Sequence, residues 1–174
     1  MKEKELSILV EQLKNEGVPL VFTVAILFDD CPTSYICFDT NSYNEKTFAT
    51  QTAIRFIEKV GANGYVLLME SYISKQFTVR PSIDPSHQEA LYCRYCTKEG
   101  TSDTYIAKIQ RGAGQTFYQD FNLLDKKASG PSFADLFRVR DLETLSHTVR
   151  RKIEKEVSKL IKTQPHRKIK KRLN

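Results

Sequence analysis

Glu89 to Phe121 reads EALYCRYCTKEGTSDTYIAKIQRGAGQTFYQDF, and the fold turns on this stretch. Three runs in it, Glu89–Thr97, Thr104–Arg111 and Gln115–Phe121, read as strands. They are broken at Glu99-Gly100 and Gly112-Ala113-Gly114. Short glycine-containing breaks between strand-like runs are hairpin turns, so the spacing predicts an antiparallel meander. A doubly wound α/β chain would need strands alternating with helices, and this half of the chain has no helix until its end.

Upstream, Tyr65–Ile73 reads as a further strand, apolar on both faces except for Glu70. Before it, Ser42 and Glu45 form the S-x-x-E pattern of a capping box, so a helix is predicted to begin at Tyr43 or Asn44. Phe48, Ala49, Ala53, Phe56, Ile57 and Val60 give its buried stripe, with Gly61 and Asn63-Gly64 as stops. Leu20–Phe28 and Ser34–Phe38 read as strands of a hairpin turned at Asp29-Asp30-Cys31-Pro32, the first of them apolar on both faces. The first fifteen residues place Leu6, Leu9, Val10 and Leu13 on one helical face, and Gly17 supplies a stop.

Downstream, Ala128-Ser129-Gly130-Pro131 breaks the chain. Leu142, Leu145, Val149, Ile153, Val157 and Leu160 then step by three and four, predicting a last helix from about Leu142 to Ile161, ended by Pro165. The predicted order is α-β-β-α-β-β-β-β-α. It describes a single α+β domain over residues 1–162, a mostly antiparallel sheet of five to six strands with helices on one face. Residues 163–174 read as a basic, disordered tail.

At 174 residues and 20.0 kDa, 40% hydrophobic and 28% charged, the chain matches one globular domain and excludes collagen-like or low-complexity architecture. Its longest apolar run, Leu20–Phe28, is about half of what a membrane helix needs. With no signal-peptide pattern at the N-terminus, a cytoplasmic location with reduced cysteines is expected. The net charge of +6 is uneven. Arg150–Asn174 holds eleven Lys and Arg against Glu154 and Glu156, a net +9, which leaves −3 for residues 1–149. Such an end suits nucleic acid or another polyanion, through Arg150, Arg151, Lys155, Arg167, Lys168, Lys170, Lys171 and Arg172.

His87-Gln88-Glu89-Ala90-Leu91-Tyr92-Cys93-Arg94-Tyr95-Cys96 contains H-x-E and C-x-x-C, both halves of a zinc-deaminase signature. On one strand, however, Cys93 and Cys96 point to opposite faces and cannot share an ion, so no metal is predicted. No glycine-rich phosphate loop and no G-x-S-x-G occur, and no cofactor is expected. Glu70, ionisable in an apolar strand, needs a partner, with Arg80 or Arg94 the nearest choices in sequence. Of the six meander aromatics, Tyr92, Tyr95, Tyr105, Phe117, Tyr118 and Phe121, strand alternation leaves some to face solvent and some to face the core.

Glu70-Ser71-Tyr72, Arg80-Pro81-Ser82-Ile83-Asp84-Pro85, Glu89-Ala90-Leu91 and Ile109-Gln110-Arg111 together resemble a family of small uncharacterised bacterial and phage proteins. Its pattern runs E-A-W, R-P-S-x-x-P, E-x-L and then an Arg after a later strand; here Tyr72 stands where the family usually has Trp. The resemblance implies that Glu70, Arg80 and Glu89 belong together, and it brings no function with it. Three readings follow. The first is a non-enzymatic binding domain anchored on a polyanion by its basic end. The second is a small hydrolase or metal-dependent enzyme using Glu70, Arg80, His87 and Glu89. The third is a structural protein whose last helix packs on a partner.

Overall fold

The described residues form nine elements in the predicted order: α1 (Glu3–Asn15), β1 (Thr23–Leu27), β2 (Ser34–Cys37), α2 (Tyr43–Val60), β3 (Gly64–Ile73), β4 (Gln88–Thr97), β5 (Ser102–Gly112), β6 (Gln115–Leu123) and α3 (His147–Thr163). The structure, a computed structural model, describes residues 1–28, 34–38, 43–73, 88–100, 102–124 and 145–163. The strands form one six-stranded sheet, ordered β2-β1-β3-β4-β5-β6, with every neighbouring pair antiparallel. This is an α+β domain.

Helices cover both faces of the sheet, not one. Val24, Ile26, Tyr65 and Leu67 pack with Ala53, Phe56 and Ile57 of α2 and with Ile153 and Val157 of α3. Their strand neighbours Ala25, Val66 and Leu68 pack with Leu6, Leu9, Val10 and Leu13 of α1. Successive side chains on a strand point to opposite faces, so β1 and β3, apolar on both, require two covers.

The turns that fix this register are local. Gly17 (φ 72°) ends α1 with Val18 N–H donating to the Leu13 carbonyl and Gly17 N–H to the Lys14 carbonyl, a Schellman arrangement that buries Val18. Ala113 (φ 50°) and Gly114 (φ 76°) make the two-residue turn between β5 and β6, with both central residues left-handed as a tight hairpin requires. Further along β6, Asp120 (φ 52°) marks a bulge where Asp120 and Phe121 oppose the single residue Ala107 of β5.

The last helix starts five residues later than its apolar spacing predicts. Ser146 Oγ accepts from the Val149 N–H at 3.4 Å, an N-cap that sets the start at His147, and the helix runs on to Thr163. The Ser42 cap of α2, the loop at residues 74–87 and the tail at residues 164–174 lie outside the described residues.

Candidate functional site

Glu70 lies near the end of β3, half-buried, where the strand runs out of the α1 core. Pairing of Glu70 with Leu91 and of Tyr72 with Glu89 puts both carboxylates on the α1 face. On the next hairpin, Ile109 pairs with Tyr118 and Arg111 with Thr116, on that same face. Sheet register thus converges groups that lie far apart in sequence.

Arg111 is the hub. Its Nε donates to Glu89 Oε2 at 2.6 Å, its Nη2 to Glu70 Oε2 at 2.9 Å and its Nη1 to Thr116 Oγ1 at 3.2 Å. Tyr118 donates its hydroxyl to Glu70 Oε1 at 2.8 Å. The two carboxylates hold the Arg111 pKa above its ordinary value. Burial, and then the hydrogen bond to Glu70, push the Tyr118 phenol upward as well. Both shifts run away from neutrality, so Arg111 stays charged and Tyr118 stays a donor. Their chemistry is that of fixed hydrogen bonds and fixed charge.

Glu70, Glu89 and Arg111 line a cleft of about 340 Å³ together with Val21, Ser71, Tyr72 and Ile109. The Glu70 N–H donates to the Leu20 carbonyl at 3.2 Å, which ties the chain before β1 to this end of β3 and sets exposed Val21 at the rim. At the neighbouring edge, Lys14 of the last turn of α1 stands 4.8 Å over the Phe117 ring.

Of the four residues singled out for an enzyme, Glu70 and Glu89 meet here, whereas Arg80 and His87 fall outside the described residues. Among the described residues, the partners of the Glu70 side chain are Arg111 and Tyr118. Arg94 is not among them, because its pairing with Leu67 sends it to the opposite face, where its Nε donates to Ser102 Oγ at 3.3 Å. Sequence reasoning misses Tyr118 as a member of this site, although counting on from the Ala113-Gly114 turn sets it opposite Ile109 and two residues from Thr116, the partner of Arg111.

The Cys93–Cys96 spacing resolves as strand geometry dictates. Cys93 is buried in the α1 core and Cys96 in the α2–α3 core. Burial raises the Cys93 thiol well above its usual pKa, which keeps it protonated and inert. Among the described residues, no three His, Cys, Asp or Glu side chains gather as metal ligands. The meander aromatics divide between the two environments: Tyr105 and Phe121 are core, while Phe117 is 40% exposed.

A second surface belongs to α3. Ile153 and Val157 seat it on the sheet and α2. Glu154 accepts from Arg55 Nε of α2 at 2.6 Å and from Lys59 Nζ. One of the two acidic side chains of α3 is thus turned toward α2. Arg150, Arg151, Lys152, Lys155, Lys159 and Lys162 are exposed, and Arg150 donates to the Leu145 carbonyl at 2.8 Å. The tail residues Arg167, Lys168, Lys170, Lys171 and Arg172 lie beyond the described residues. No protein-family model, curated protein or solved structure matches this chain. Among the described residues, no helix is long and apolar enough to cross a membrane.

Proposed function

We propose that this protein is a non-enzymatic binding module that engages a polyanion, nucleic acid foremost, through the outer face of α3 and the basic segment after it. One observation carries the reading. The docking of α3 consumes its apolar stripe and Glu154, and leaves six Lys and Arg side chains exposed on one helix. A helix that presents six cations, with one of its two acidic side chains turned inward and the other, Glu156, 3.5 Å from Lys159, keeps an excess of positive charge that attracts phosphates without reading sequence. Arg151, Lys155 and Lys159 follow one another at one-turn spacing, suited to successive phosphates along a backbone.

The test is fluorescence anisotropy with labelled single-stranded and duplex oligonucleotides at two salt concentrations. Wild type is compared with the triple substitution Arg151→Gln, Lys155→Gln, Lys159→Gln. The expected result is binding that weakens steeply with salt. In the variant the logarithmic salt slope becomes shallower by roughly 0.9 for each duplex phosphate no longer neutralised. No binding at low salt, or an unchanged slope in the variant, overturns the proposal.

A further inference from the structure

We propose that the cleft at the end of β3 is a second, separate binding site, and that its ligand is a small organic cation, a guanidinium or primary ammonium group on an alkyl stem. The proposal is independent of the α3 surface, because the cleft opens on the α1 face of the sheet and α3 packs on the other.

The first argument is charge. Among the described residues, two carboxylates, Glu70 and Glu89, face one guanidinium, which gives the cluster a net charge of −1. Arg111 is a poor receptor for an anion, because its single charge already faces two carboxylates and three of its five N–H groups go to Glu89, Glu70 and Thr116. Tyr118 likewise spends its hydroxyl on Glu70. A phosphate or carboxylate entering here would face two negative groups for the one guanidinium.

The second argument is an open acceptor. Both oxygens of Glu70 are engaged, and so is Oε2 of Glu89. Glu89 Oε1 has no hydrogen-bond partner among the described residues, and Glu89 lines the cleft. A carboxylate held rigid by Arg111 and left with one open oxygen offers a fixed point for an N–H donor.

The third argument is the wall beside that oxygen. Tyr72 is the direct cross-strand neighbour of Glu89 and is 44% exposed. An aromatic ring next to a carboxylate stabilises a cation through its π face while the carboxylate takes the N–H. Val21, 51% exposed, and Ile109 supply apolar surface for the alkyl stem. The cleft volume of about 340 Å³ fits a ligand of this size. A hard divalent metal fits less well, since three of the four carboxylate oxygens are already committed to donors.

The experiment titrates the full chain with propylguanidinium and with butylammonium, using butyrate and butanol as controls, and follows amide chemical shifts. Saturable shifts clustered at residues 70–72, 89 and 111 are expected with the cations and not with the controls. Glu89→Gln is expected to weaken cation binding by roughly tenfold. Tyr72→Leu, a change at an exposed site that leaves the ion cluster whole, is expected to weaken it by about two- to fivefold. Butyrate binding as well as the ammonium, no saturable shift with either cation, or full cation affinity in Tyr72→Leu would each overturn the proposal. Should Glu89→Gln unfold, the Tyr72→Leu titration alone still decides.

Discussion

Arg111 bridges two carboxylates that the sheet has already pushed together, and this makes it the most consequential single residue at the site. Arg111→Met leaves Glu70 and Glu89 on neighbouring strands with no counter-charge, and like charges so placed repel. The pairs are partly exposed, so the expected loss is modest, about 1–2 kcal/mol in urea unfolding. Adding Glu70→Gln to Arg111→Met is expected to restore part of that loss; no recovery would mean that repulsion is not its source. Tyr118→Phe removes one donor to a carboxylate and is expected to cost about 1 kcal/mol in the same measurement. At this scale the sequence is half transparent. An ionisable Glu70 inside YVLLMESYI demands a partner, and Glu89 stands out beside it. Of the two arginines nearest in sequence, Arg80 lies outside the described residues; the partner seen, Arg111, is hidden because register across β3, β4 and β5 delivers it from forty-one residues away. Spatial neighbours in a sheet are set by strand register: the β4–β5 and β3–β4 pairings bring Arg111 to the two carboxylates, and the Ala113-Gly114 turn then adds Thr116 and Tyr118.

At the scale of the element, α3 depends on two apolar anchors and one ionic one. Ile153→Ala opens a cavity against α2 and the sheet, with an expected cost of about 2–4 kcal/mol in thermal or urea unfolding. An unchanged midpoint would mean that α3 contributes nothing to the fold. Glu154 responds to pH. The hydrogen bonds from Lys59 and then Arg55 outweigh desolvation and hold its folded pKa below the ordinary 4.5. A depressed carboxylate contributes stability that is present above its unfolded pKa and is lost as pH falls through its folded one. Wild-type stability should therefore fall more steeply below pH 4.5 than that of Glu154→Gln, which has no charge to lose. Because Glu154 is 41% exposed, the difference is expected to stay under about 1 kcal/mol. Parallel acid titrations of unfolding midpoints check it, and identical curves would detach Glu154 from α3 docking. The stripe of α3 is legible as a three-and-four period. Its start is not, because the period extends through Leu142 and Leu145, whereas the Ser146 cap decides where backbone N–H groups first find helical partners. The two-sided cover of the sheet is implicit in β1 and β3, whose residues are apolar on both faces rather than at every second position.

At the scale of the whole molecule, charge and fold are arranged independently. The body through residue 149 carries −3, the segment from Arg150 onward carries +9, and α3 is the element in which the two overlap. This overlap makes the contributions of helix and tail separable. Deleting residues 164–174 removes Arg167, Lys168, Lys170, Lys171 and Arg172 but begins after Thr163, the end of α3, and well past Val157, its last buried side chain. The unfolding midpoint is therefore expected to stay where it is. Polyanion binding is expected to weaken without vanishing. Each phosphate neutralised adds roughly 0.9 to the logarithmic salt dependence for duplex DNA, so the truncated chain should show a shallower salt slope than the full chain. The slope that remains belongs to the exposed cations of α3, and combining the truncation with the Arg151, Lys155 and Lys159 substitutions should reduce it further. Anisotropy titrations of all four chains at two salt concentrations measure this. Equal affinity and equal slope in full-length and truncated chains would remove the tail from the interface and leave α3 as the whole of it. Complete loss of binding on truncation, with the fold intact, would instead put the entire interface in the tail and overturn the role given to α3.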